Sequence, residues 1–117
     1  MTKIRIAAAI CFLAVALGAF GAHTLRAVLE RYQMTDVWKT AVMYHFIHGI
    51  ALFVLALWAK GSSGTWWLFV AGISLFSGSL YLLAVIRQPP DWLGAITPLG
   101  GLCFLAGWGW LIIAPRL

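Results

Sequence analysis

Three histidines are the only side chains here whose ordinary titration falls near neutral pH, and they sit among residues that carry almost no charge: His23, His45 and His48. His45 and His48 are three residues apart, so on a helix they share a face. Tyr44 precedes them. Ser74, Ser77 and Tyr81 recur at intervals of three and four with Ser79 between them, and Gly94, Thr97 and Gly101 repeat that spacing with Pro98 beside Thr97. Imidazoles, hydroxyls and a phenol in such a set can do three kinds of work. They can hydrogen-bond to one another and hold helices together. They can line a polar pocket that binds or passes a small solute, ion or proton. His45-x-x-His48 with His23 also offers three imidazoles, enough in number for zinc or copper. A bis-histidine haem needs more room than the surrounding small residues leave. No carboxylate or thiol at that depth completes a metal set, and no cofactor is expected.

Other catalytic patterns are missing. Ser77-Gly78-Ser79 with His45 or His48 imitates a serine–histidine pair but has no acid to orient the imidazole. Gly61-Ser-Ser-Gly64 is too short and isolated to be a nucleophile elbow. Glu30, Asp36 and Asp91 are the three acids, and all lie in connections. An enzymatic role is therefore the less favoured reading.

The elements that must position these residues are four apolar stretches, 6–22, 40–59, 66–86 and 92–114, with every Lys, Arg, Asp and Glu outside them. Each has about 20 residues, enough at ~1.5 Å per residue to cross a ~30 Å hydrocarbon core. The chain is 63% hydrophobic and 9% charged, which makes lipid its solvent. The expected fold is all-α: one domain, residues 1–117, a polytopic membrane protein with four transmembrane helices in an up-down-up-down bundle. The net charge of +5 does not indicate nucleic acid, because the basic residues stand singly at helix ends. The lipid bilayer is the natural partner, through anionic headgroups.

Lys3 and Arg5 before an apolar run, with Ala19-Phe20-Gly21 after it, imitate a signal peptide. The reading adopted is a permanent first helix, with Ala7, Cys11, Ala14, Gly18 and Gly21 on one small-residue packing stripe. Cys11 and Cys103 read as small buried hydrophobes. Leu25, Val28, Leu29 and Tyr32 predict a short amphipathic interfacial helix, with Thr24 as its N-cap. Thr35 or Asp36 caps the second span. Residues 60–65 read as a flexible Gly-Ser turn, and 87–91 as a rigid one set by Pro89 and Pro90. Trp38, Trp58, Trp66, Trp67, Trp92, Trp108 and Trp110 read as an aromatic belt at the membrane surfaces. Basic residues divide evenly, Lys3, Arg5, Lys60 and Arg116 against Arg26, Arg31, Lys39 and Arg87. Weight on the first helix puts both termini in the cytoplasm.

With the spans antiparallel, His23, Tyr44, His45, His48, Ser77, Ser79, Tyr81, Thr97 and Pro98 fall in one half of the bilayer, and Ser74 lies near its midplane. Polar groups there must turn inward for partners, so a shared polar patch is expected. Pro98 frees the carbonyl of Gly94, and a bend in the fourth helix is expected with it.

In order along the chain stand Gly18-Ala-Phe-Gly-Ala-His23, Tyr44-His-x-x-His48, Leu75-Phe-Ser-Gly-Ser-Leu-Tyr81, Thr97-Pro-x-Gly-Gly101 and Ala106-Gly-Trp108. Together these motifs resemble the small membrane protein family catalogued as domain of unknown function four-two-three, which includes bacterial inner-membrane proteins and an animal relative, transmembrane protein two-five-six. The resemblance covers nearly the whole chain. It implies a four-helix inner-membrane protein and no particular activity, and the residues it singles out are those of the polar patch. The function it leaves open is binding or permeation through that patch, or a structural or assembly role, or metal binding. Small-residue stripes on more than one helix also leave room for a homo-oligomer or an unidentified membrane protein partner.

Overall fold

The computed structural model describes residues 2–58 and 63–114, and every regular element among them is helical. In chain order these are α1 (Thr2–Ala22), α2 (Arg26–Arg31), α3 (Thr35–Trp58), α4 (Ser63–Gly72), a π turn (Ile73–Ser77), α5 (Gly78–Val85) and α6 (Asp91–Ile113). Four spans are long and apolar enough to cross a membrane: α1, α3, the composite Ser63–Val85, and α6. Lys60 and Arg116, and the centre of the expected Gly-Ser turn, lie outside the described residues. Its last part, Ser63 to Thr65, is helical and opens α4. α3 begins at Thr35, ahead of the apolar stretch and at one of the two residues expected to cap it, with Asp36 in its first turn, where an acid suits the positive helix end. The Pro-Pro connection is as expected: α5 stops at Val85, Ile86 turns extended, and α6 starts after Pro90.

The interfacial helix exists but is capped differently. Its N-cap is Leu25, with no side-chain hydrogen bond, and not Thr24. Backbone bonds do the work instead: the Leu25 N–H donates to the Phe20 carbonyl at 2.8 Å. At its C-terminus Gln33 adopts φ +56°, its N–H donates to the Glu30 carbonyl at 3.2 Å, and the Met34 N–H donates to the Leu29 carbonyl at 2.8 Å. That pair of bonds is the Schellman ending, which ordinarily uses glycine at the left-handed position. Leu29, fully buried, pins α2 over Trp38 and Ala84.

The spans pack in sequence order. α1 lies on α3, α3 on the third span, and the third span on α6, while the backbones of α1 and α6 stay apart. The small stripe of α1 is its packing face. Ala7 and Ala14 are fully buried, Gly18 lies against Val42, Gly21 against Trp38, and Cys11 against Gly49, so α1 and α3 run in opposite directions. Between the third span and α6 the joint is made of phenyl rings set into glycines: Phe69 on Gly107, Phe104 on Gly72, and Phe76 over Gly100. Gly100 is the tightest, since a Cβ there would overlap the backbone of Phe76 itself. In lipid, such close approach supplies the dispersion contact that holds helices together.

Two stability predictions follow from this geometry. Gln33→Gly relieves a left-handed backbone and should stabilise the folded protein by roughly 0.5–1 kcal/mol, read as a raised unfolding midpoint in detergent. Gly100→Ala should destabilise by about 1–3 kcal/mol, because the colliding atoms are backbone and cannot rotate away. An unchanged midpoint for Gly100→Ala would show that the two helices can part without cost.

Candidate functional site

The π turn decides which polar residues meet. Its i→i+5 bonding closes with the Gly78 N–H on the Ile73 carbonyl. Glycines flank it on both sides, and the Ser74 hydroxyl competes for backbone by donating to the Val70 carbonyl at 3.0 Å. A π turn takes more residues per revolution than an α turn, so the three-and-four spacing of Ser74, Ser77 and Tyr81 no longer marks one face. Ser74 is exposed on the outside of the span, whereas Ser77 is fully buried. The expected stripe is corrected accordingly: Ser74 takes no part in the interior.

Inside, the polar side chains form links between helices. The Ser77 hydroxyl donates to the Ala41 carbonyl of α3 at 2.8 Å. Ser79 and Thr97 share a hydroxyl–hydroxyl bond of 2.6 Å between α5 and α6, with Ser79 also on the Phe76 carbonyl at 2.9 Å. His45 Nδ1 and the Tyr81 hydroxyl are 2.8 Å apart, joining α3 to α5. Tyr81 packs in turn on the Trp38 ring, centroids 4.8 Å apart, and the Trp38 indole N–H donates to the Leu17 carbonyl of α1 at 2.9 Å. A chain of contacts therefore runs from α1 through α3 to α5.

His48 belongs to a separate aromatic group. Its ring lies flat on Phe104, centroids 3.7 Å apart and planes 13° apart, with Phe69 and Trp108 edge-on beside it. The Trp108 indole N–H donates to His48 Nε2 at 2.9 Å, while His48 Nδ1 is 2.8 Å from the Tyr44 carbonyl. These contacts assign the tautomer. An indole only donates, so Nε2 accepts; a carbonyl only accepts, so Nδ1 carries the hydrogen. Both nitrogens of His48 are committed.

The two histidines thus share a helix but not a site. His23 joins neither: it is exposed in the turn after α1. Among the described residues no three His, Cys, Asp or Glu side chains come together as a metal set would require. Pro98 lies exposed within a continuous α6, so the expected bend is not marked by any break in the helix. With Tyr44, His48, Phe104 and Trp108 it lines an open groove of about 590 Å³ between α3 and α6.

Sequence reasoning missed Trp38, Trp108 and Phe104. Trp38 and Trp66 are buried at 5% and 2% exposure, so these two do not face outward as a belt requires, whereas Trp58, Trp67 and Trp92 do face outward. The signal available for Trp108 was its place one helical repeat after Phe104, on the face that carries Gly100 and Gly107 inward.

Comparison with known proteins gives the family. The profile described as protein of unknown function, DUF423, matches residues 17–101. The chain belongs to the DUF423 family. Its similarity to curated proteins extends beyond that stretch. The UPF0382 membrane protein YwdK of Bacillus subtilis is 48% identical over 109 residues, covering 87% of this chain and 85% of the relative. A UPF0382 membrane protein of Staphylococcus haemolyticus is 44% identical, covering 91% and 88%. A fission yeast relative, Schizosaccharomyces pombe C1782.12c, is 32% identical and covers 97% and 100%. No solved structure matches. DUF423 membership and four apolar helices make this a membrane protein.

The His48 assignment is directly testable. Nitrogen NMR of labelled protein in lipid should show His48 with hydrogen on Nδ1 and an accepting Nε2, and the opposite tautomer would contradict the Trp108 bond. Trp108→Phe keeps an aromatic ring but strands a buried acceptor. It should lower stability by about 1–3 kcal/mol, measured by unfolding in detergent.

Proposed function

We propose that this protein is a structural or assembly unit of the membrane, its intramembrane polar residues serving as pins between helices. One observation supports this above others. The side chains of His45, His48, Ser77, Ser79, Tyr81 and Thr97 find partners in one another, in Trp108, or in backbone carbonyls of the same chain. A conduit for ions or protons needs polar atoms turned towards water, and here they are turned towards each other. In hydrocarbon each such bond contributes roughly 0.6–2 kcal/mol, enough for several together to fix one arrangement of helices. The groove beside Tyr44 and His48 has a mainly aromatic and aliphatic lining, which is a poor path for an ion or proton.

Self-association is part of the same reading. α1 and α6 end the row of spans, and Phe12, Val15, Leu102 and Leu105 point outward from them. Mass determination in lipid nanodiscs and co-purification from native membranes would identify what sits there.

In sealed vesicles containing the protein, proton, ion and small-solute flux should equal that of protein-free vesicles. Flux above that level, abolished by Tyr44→Phe or His48→Gln, would overturn the proposal in favour of permeation. His45→Ala and Ser77→Ala should reduce any cellular phenotype in proportion to the stability they remove. A phenotype lost at unchanged stability would mean that these side chains do chemistry.

A further inference from the structure

A second cavity lies at the end of the helix row that the polar pins do not use. It has a volume of about 490 Å³ and opens where α1 ends, α2 crosses and α3 begins. Its floor is apolar, made by Gly18, Val42 and Met43. Gly18 sends no side chain into the floor, and the space at Gly21 is taken by the Trp38 ring, which walls the cavity. Trp38 is held on both sides, by its bond to the Leu17 carbonyl at 2.9 Å and by the Tyr81 ring at 4.8 Å. The wall is thus fixed before any ligand arrives, which lowers the ordering cost of binding.

The rim has the opposite character. Arg26, Glu30 and Lys39 stand on it, all exposed, with Thr35 beside them. Among the described residues the only ion pair is Arg26 with Glu30, at 3.0 Å. That contact uses the Arg26 Nε and leaves the terminal guanidinium nitrogens to other acceptors. Lys39 has no ion-pair partner among the described residues, so the rim carries one net positive charge. The floor is made by residues of the apolar spans and the rim by charged residues near their ends, so the cavity joins an apolar surface to a charged one.

We propose that this cavity is a binding site for one anionic phospholipid, with its phosphate between Lys39 and Arg26 and the first methylenes of an acyl chain on Gly18, Val42 and Met43. Charge complementarity at the rim and an apolar floor at the depth of acyl chains each match one part of such a molecule. A quaternary ammonium headgroup would bring like charge to the same rim.

The test uses the full chain in phosphatidylcholine nanodiscs titrated with phosphatidylglycerol, with bound lipid counted by native mass spectrometry and affinity read from the titration. Phosphatidylglycerol should be retained at one molecule per chain, and glycerol phosphate should not bind. Lys39→Gln should weaken retention about fivefold, following the usual contribution of one basic residue near an anionic surface. Arg31→Gln removes the same charge from the same side of the membrane but outside the cavity, and should leave retention unchanged. Met43→Trp, which fills the floor from a half-exposed position, should reduce retention with the charges intact. Equal weakening by Arg31→Gln would reduce the effect to general surface attraction and overturn the site. So would binding of glycerol phosphate alone, or retention of phosphatidylcholine as strong as that of phosphatidylglycerol. Melting curves of each variant without added lipid identify folded protein; if Met43→Trp is misfolded, the Lys39 and Arg31 pair decides.

Discussion

Hydrocarbon offers no hydrogen-bonding partner, so each polar group taken into it must bring one along or find one in the chain. Most of the interior can be read from that constraint; among the described residues the fully buried Thr65 hydroxyl is the exception, with no partner. Ser77 crosses to a carbonyl of α3, Ser79 meets Thr97, His45 meets Tyr81, and His48 is bonded at both nitrogens. Each link also fixes a helix pair at a particular height, which apolar contact alone does poorly when lipid tails are as apolar as leucine. The pins and the packing therefore depend on each other. Ser77 can reach Ala41 only because the third span lies close against α3, and that span is held from its other side by phenyl rings seated in glycines.

The π turn is the point where these demands are reconciled. Gly100 approaches the backbone of Phe76 inside that turn, and Ser77 closes the turn with its hydroxyl on α3. Before the turn, Phe69 and Gly72 face α6; after it, Ser79 faces α6 and Tyr81 faces α3. A regular α-helix would have carried Ser74 inward with Ser77 and Tyr81. The widened turn leaves Ser74 outside, where its hydroxyl is satisfied by its own helix.

Much of this was legible from residue order, for physical reasons that differ by element. The spans and the small-residue face of α1 repeat at helical intervals, and composition at that period survives any detail of packing. His45, Ser77, Ser79, Tyr81 and Thr97 could be placed at similar depth because depth follows from counting residues along antiparallel helices. Rotation about the helix axis could not be counted in the same way. One π turn displaced Ser74, and no residue type announces such a turn. The inward turn of Trp38 was not legible for another reason. An indole near a span end satisfies its N–H equally well at the membrane surface or on a buried acceptor, and only the fold shows that Trp38 found Leu17 and Trp108 found His48. His23 looked like a third member of a histidine set, but the turn after α1 carries it outward.

The row of spans has a consequence for biosynthesis. Chains enter a membrane from the N-terminus, and here each span packs on the one synthesised just before it. α1 and α3 can close their glycine face as a hairpin while the rest is still on the ribosome. The third span then adds its bonds to Ala41 and His45. Among the described residues, the Trp108–His48 bond is the sole side-chain hydrogen bond joining spans that are not consecutive. His48 therefore gains the Trp108 partner of its Nε2 only from the last span. Closing that bond needs the C-terminal helix in place, so the packing of α3 against α6 is completed only when the last span arrives.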